Sequence, residues 1–390
     1  MFNEIKPTVA HRQPIGRQLP ETGPADTPNR AVPLLETPAF EHRRHFSDLD
    51  GLRGLLALSV VFLHYGINDQ MRRATGGQIQ GFTFELAVDF FFLLSGYVLA
   101  YSMRERTPSV AEFALKRAFR LLPVYFAMFA LVLAMAAFAT RTLPYLVSPL
   151  PVWMAITDLF LVTPLTGIAP LDVPAWSVSF EFYLPIIAVA LSGIFGKSVR
   201  RHSLALVLAL AIALSVVAYL VAAGGHYFGL RAFLGLSAGC CLYLSIPRLK
   251  LPGALFRPFA LYALIGSLLA VMFLASVVPA VAIAFPWIAI LAVIAGTRTR
   301  TFLSGGPMAT LGHVSYTLYM VHVPVLMASA LIFDVSGHPL VKGATLIAAL
   351  AAAGALTVFI ERPGMALGNA IVRRVRLRKQ ITRAGAGQTQ

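Results

Sequence analysis

The stretch Asp48 to Gly66, DLDGLRGLLALSVVFLHYG, decides how this chain is read. It is long enough to cross a bilayer, yet it carries Asp50 and Arg53 near its start and His64 close to its far end. A helix rises about 1.5 Å per residue, which sets His64 roughly 21 Å along the axis from Asp50. Arg53 and His64 are separated by about three turns, so both project from one face. The rest of that face is Leu, Ala and Val. Ionisable groups in hydrocarbon are costly, and by default they point inward and mark a functional pathway. A plainer reading leaves Asp50 favouring the positive end of the helix dipole and His64 bonding a neighbouring helix.

The remainder of the chain agrees with a membrane setting. It has 390 residues, of which 57% are hydrophobic and 13% charged, against about a quarter charged in soluble proteins. Repeated apolar runs near 20 residues make it an all-α polytopic membrane protein. The net charge of +15 does not point to nucleic acid, because the basic residues gather in alternate short loops and the two tails. Cys240 and Cys241 are adjacent in an apolar run and suggest buried thiols rather than a disulfide framework. Residues 1–45 are polar and proline-rich with no apolar leader, so the first span is expected to direct insertion.

Ten spans are expected. After the first come Phe84–Met103, a third ending near Ala139, and Trp176–Phe195. Ser203–Ala222, Arg231–Ile246, Phe259–Ser276, Ala280–Ala295, Leu311–Phe333 and Leu340–Ile360 complete the bundle. Residues 140–175 hold several prolines and the amphipathic VWMAITDLFLV, too short for a span and better read as interfacial or re-entrant. Loops on the tail side carry 13 Lys and Arg against 5 opposite. That bias predicts both termini in the cytoplasm. Internal repeats are not evident, which argues against an inverted-repeat transporter.

Four constellations could carry chemistry. His64 offers an imidazole that titrates near neutrality, suited to a general base or a nucleophile. Ser177 and Glu181, at i and i+4 in Trp176-Ser177-Val178-Ser179-Phe180-Glu181, share a helix face. Entering from the side opposite the tails, Glu181 should reach the depth of His64 and orient its ring. Arg117 and Arg120 share a face at the start of the third span and offer forked donors to phosphates. Basic residues there also satisfy topology alone. Ser315, Tyr319 and His322, at i, i+4 and i+7, form an inward polar stripe that reads better as channel lining than as catalysis. His313 reads as a solvated helix end.

Taken in order, these motifs resemble the membrane-bound acyltransferase 3 family, which modifies surface glycans and other acceptors. The carrying stretches are LDGLRG with the histidine of VFLHYG, VDFFFLLSGYVL, RAFR before LLPVYF, AWSVSFEFYL and LGHVSYTLYMVH. They cover residues 46 to about 363, between a tail at 1–45 and a basic tail at 364–390. The resemblance implies transfer of an acyl group, usually acetyl from acetyl-CoA, to the hydroxyl of a glycan or another acceptor. It implies His64 as the catalytic histidine, Glu181 as an active-site carboxylate, and Arg117 and Arg120 as donor-binding residues. Arg53 matches the family's first-span arginine, and Ser177, Tyr319 and His322 are expected to line the substrate path. No metal is expected. The rival readings are a proton-coupled exporter using His64, Glu181 and His322, and a catalytically silent scaffold. The sequence does not choose between direct transfer and an acyl-histidine intermediate, nor does it fix the acceptor or the oligomeric state.

Overall fold

The structure is a computed structural model that describes residues 46–105, 109–142, 151–166, 170–250, 253–333 and 339–386. The expected tail at 1–45 and the turn at 334–338 lie outside the described residues. Among these the chain is a helical bundle without strands. It begins with α1 (Ser47–His64), α2 (Ile67–Ala74), α3 (Leu86–Glu105) and α4 (Val110–Thr142). The middle holds α5 (Val152–Leu159), α6 (Ala175–Ala222), α7 (Phe228–Ser245) and α8 (Pro258–Ala275). The last third is α9 (Phe285–Gly296), α10 (Gly306–His313), α11 (Ser315–Ile332), α12 (Pro339–Leu356) and α13 (Arg362–Ala386), the last two joined by a π turn at Thr357–Glu361. Nine candidate spans are present among the described residues, or ten if α1 and α2, bent by 64°, count as one. The chain is a multi-pass membrane protein. Large apolar side chains such as Phe138, Ile212, Phe233, Phe259, Ile347 and Phe359 stay exposed on its flank, as a surface wetted by lipid requires.

Three departures from the expected spans matter for the site. First, the expected spans Trp176–Phe195 and Ser203–Ala222 are both present, as Ala175–Ser192 and Ser198–Ala222, but no loop separates them within α6, which runs for 48 residues. Straight, it would run roughly 72 Å, more than twice the bilayer core of about 30 Å. It folds back instead. Gly229 packs on Phe180, and Arg248 bonds the Arg201 carbonyl at 3.3 Å, so α7 runs beside the first half. Only residues 223–227 join α6 to α7, which forces the second half to return to the level of Phe180.

Second, the expected span Leu311–Phe333 is broken at Val314 into α10 and α11. The break lets α10 lie against α1 with almost no separation. A Cβ on Gly54 would sit 2.7 Å from the Gly312 nitrogen, and one on Gly312 would sit 2.3 Å from the Asp50 carbonyl oxygen. Only glycine tolerates that approach. The glycines of LDGLRG and LGH are therefore two sides of one contact.

Third, residues 364–390, expected as a tail, include most of α13, which docks on α4 and buries Val372. The loop expected at Asn68–Thr83 opens with the polar helix α2. Among its described residues, the 140–175 segment holds α5 and a 3-10 turn at Thr163–Thr166, neither long enough to cross a membrane.

Candidate active site

The N-terminal end of α1 is pinned from outside the helix. Asp48 is buried and its Oδ1 accepts from the Thr301 backbone N–H at 3.0 Å and from the Thr301 hydroxyl at 2.8 Å. One turn on, Arg53 lies 3.8 Å from Asp50 and turns into a cavity of about 250 Å³. That cavity is closed by α3, α4, α6 and α11. Arg53, Arg117, Arg120, Ser177, Glu181 and Tyr319 all line it, so six of the eight residues singled out from the sequence meet in one chamber.

Arg117 is its electrostatic centre. Its Nε donates to the Glu181 backbone carbonyl at 2.5 Å, and its Nη2 lies 3.4 Å from Glu181 Oε1. That second contact is an ion pair without hydrogen-bond alignment, and Nη2 is buried with no hydrogen-bond partner. A buried guanidinium N–H left unpaired costs on the order of 1–3 kcal/mol or more. The donor is thus available to an anion or a carbonyl oxygen entering the chamber. Arg120 and Glu361, from the π turn, interact electrostatically, as do Arg53 and Glu361. Glu361 had no signal in the sequence, since it ends an apolar run.

Tyr319 joins this chamber to a pair of histidines. Its hydroxyl accepts from the Ser177 hydroxyl at 2.9 Å, and its ring centre lies 6.1 Å from that of His322. His322, wholly buried, presents Nε2 at 3.1 Å from Nδ1 of His64. The proton positions follow from the acceptors. His322 Nδ1 lies 3.2 Å from the Leu318 carbonyl, which can only accept, so Nδ1 carries the proton and Nε2 a lone pair. His64 Nδ1 faces that lone pair and, at 3.0 Å, the Val60 carbonyl, so it is also protonated. The Nε2 of His64 is left with its lone pair, free to take a proton or attack a carbonyl carbon. Tyr65 secures the arrangement by donating to the His322 backbone carbonyl at 3.3 Å.

The expected partnership of Glu181 with His64 is not the one present: Glu181 pairs with Arg117, and His322 takes the place beside His64. The reason lies in how α6 begins. Trp176 is not at an interface but buried, 5.8 Å from Phe92 between ring centres and beneath Arg231 at 5.3 Å. Ser177, one turn before Glu181 on the same face, bonds Tyr319 of α11, and this turns Glu181 toward Arg117 of α4. His313 is exposed at the end of α10, as read from the sequence.

On the far side of Trp176 two ionic features were not anticipated. Arg231 donates Nε to Asp89 Oδ1 at 2.9 Å and Nη2 to the Glu85 carbonyl at 2.5 Å, a buried pair tying α3 to α7. Asp158, in α5, and Asp172, just before α6, are both buried. Asp158 accepts from the Leu171 N–H at 2.6 Å. Asp172 is 3% exposed and neither oxygen has a partner among the described residues. Burial pushes the Asp172 carboxyl well above its ordinary range and Asp158 adds to the shift. Desolvation raises Asp158 too, against the bonds it accepts. Among the described residues no group of His, Cys, Asp and Glu is arranged to hold a metal ion.

Residues 46–360 match the family described as an acyltransferase domain. Over 382 residues the chain is 27% identical to a putative membrane-bound transacylase, BcsY, of Komagataeibacter xylinus, with 89% of each chain covered. No solved structure matches.

Proposed function

Because the chain belongs to the acyltransferase 3 family, we propose that it moves an acyl group, acetyl in the simplest case, from cytoplasmic acyl-CoA to a hydroxyl of a cell-envelope glycan. Family membership makes it a membrane acyltransferase and displaces the exporter and scaffold readings. The observation that carries the finer proposal is the continuity from Arg117, with its unpaired buried N–H, through Tyr319 to the free Nε2 of His64.

In this reading both termini and the Arg117 end of α4 face the cytoplasm of an inner-membrane protein. The donor enters there, with Arg117 and Arg120 holding its phosphates, and its pantetheine arm runs along the Arg53 face of α1. His64 Nε2 takes the proton of the acceptor hydroxyl as its oxygen attacks the thioester carbonyl. The carbon–sulfur bond then breaks, and the leaving thiolate receives the proton back from the imidazolium. His322 holds His64 in the tautomer that leaves Nε2 unprotonated and accepts from the imidazolium once it forms, as an orienting third group does in a catalytic triad. If His64 attacks the thioester first, the same tautomer serves as nucleophile.

Incubation of the purified full chain in nanodiscs with radiolabelled acetyl-CoA tests this. Release or transfer of label by the parent, lost in His64→Ala, is the expected result. A parent chain that neither hydrolyses nor transfers from acetyl-CoA, with glycan acceptor present, would sink the donor assignment. Mass spectrometry of surface polysaccharide from cells with and without the gene tests the acceptor class.

A further inference from the structure

Beyond residue 360, where the family match ends, α13 continues along α4. Gly364 and Gly368 face Phe119, which stands between Arg117 and Arg120. A Cβ on Gly368 would lie 2.5 Å from the Phe119 Cβ, and one on Gly364 2.8 Å from the Phe119 carbonyl oxygen. This small-x-x-x-small contact fixes α13 against the backbone that presents the two arginines. About two turns further, Arg376 donates Nε and Nη2 to Glu112 Oε2 at 2.9 and 2.7 Å. The pair borders a second cavity of about 400 Å³, lined also by Lys116, Arg117 and Arg120. Both cavities share Ser102, Phe113, Arg117 and Arg120, so the second is the vestibule of the first. Its charged lining is four cations against one carboxylate.

We propose that this vestibule binds the phosphorylated nucleotide end of the thioester donor, and that α13 completes the site through Arg376. The proposal rests on the reading of the Arg117 chamber as the donor chamber. Arg376 and Lys116 meet the phosphate on the nucleotide's ribose, while Arg117 and Arg120 hold the diphosphate linkage deeper in. Glu112 is the internal counter-anion that keeps Arg376 in place, and it competes with those phosphates for the same guanidinium.

The competition gives a test with opposite signs. CoA binding is measured on the full chain in phosphatidylcholine nanodiscs, free of anionic headgroups, with adenosine 3′,5′-bisphosphate as competitor. Arg376→Gln should weaken CoA binding by about tenfold, the loss of one charge-assisted contact, and weaken the bisphosphate by a similar factor. Glu112→Gln should leave CoA binding as tight as in the parent or tighter, because the cation is freed. If the Arg376–Glu112 pair only holds α13 in place, both substitutions weaken CoA equally, and the proposal is overturned. Arg376→Gln binding like the parent overturns it too. A parent chain that binds no CoA removes the donor reading itself, and this inference with it.

Discussion

His322 Nε2 stands 3.1 Å from His64 Nδ1, and the carbonyls of Leu318 and Val60 assign the protons so that the outer nitrogen of His64 is bare. In the proposed mechanism two neutral imidazoles in series take the part that a carboxylate and an imidazole take in a catalytic triad, without bringing a further formal charge into the bundle. The consequence is measurable. His64→Ala should abolish transfer and leave acyl-CoA binding intact. His322→Ala should lower kcat by roughly 10²–10³ with little change in KM, since in the proposed mechanism His322 acts through His64 rather than on the substrate. His322→Gln keeps an acceptor for His64 and a donor for Leu318 and should recover most of that loss. Equal losses in the Ala and Gln variants would refute the orienting role.

Arg117 leaves its Nη2 amino group without a hydrogen-bond partner in the chamber, so Arg117→Ala should raise the acyl-CoA KM more than it lowers the melting temperature. Arg120→Ala should act likewise, and Arg→Lys should rescue only partly, since the fork is lost. Glu181→Gln should cost less than Arg117→Ala, because it keeps the backbone carbonyl that receives Arg117 Nε. Parent-like acyl-CoA binding in both Ala variants would leave the arginines as topology determinants only.

Asp172 gives a pH signature. Folded, its carboxyl holds its proton more tightly than in the unfolded chain, first through burial and then through Asp158. The folded state then binds more protons, and the stability this group contributes is lost as pH rises from about 4 through its raised folded value. Asp172→Asn should therefore raise the melting temperature at neutral pH and flatten its decline between pH 4 and 7. Parallel melting curves for parent and variant across that range would contradict this.

Arg231 and Asp89 form a buried pair whose separation should be costly. Removing either partner alone, as in Arg231→Met or Asp89→Leu, is expected to destabilise by about 3–5 kcal/mol. The double substitution should cost less than the sum, and denaturant titration of the four proteins gives the coupling. Additive losses would mean that the pair contributes only through packing around Trp176.

Orientation is tested with impermeant thiol labelling in intact cells. A cysteine at Ser109, exposed before α4, should stay unlabelled, and one at Gly77 in the loop after α2 should react. Reaction at Ser109 would invert the assigned topology.

How far the sequence reached depended on whether a feature was local. Span positions, the short 140–175 element and the shared face of Arg117 and Arg120 follow from hydropathy and helical period, which neighbouring residues alone determine. The pairing of His64 with His322 spans 258 residues and depends on α10 breaking at Val314, which no local pattern announces. Glu181 was given the wrong partner because its position was argued along single helices, whereas the helix that meets it, with Arg117, lies 64 residues away in the chain. Both ends of the Gly54–Gly312 contact lay in quoted motifs, but glycine spacing does not say which backbone it admits.

The anchoring of α1 also constrains how this protein is made. The partners that quiet its polar residues, Thr301 for Asp48 and the His322 backbone for Tyr65, follow 253 and 257 residues later. At synthesis rates of about 5–20 residues per second, that is a delay of roughly 13–50 s. Throughout it, Asp48 lacks Thr301 and His64 lacks His322, and Arg53 has only Asp50 of its own helix beside it. A helix so charged cannot be surrendered to lipid on arrival, so the insertion machinery has to keep it until α10 and α11 emerge. A chain that stops before residue 301 leaves a first span whose Asp48 has no partner.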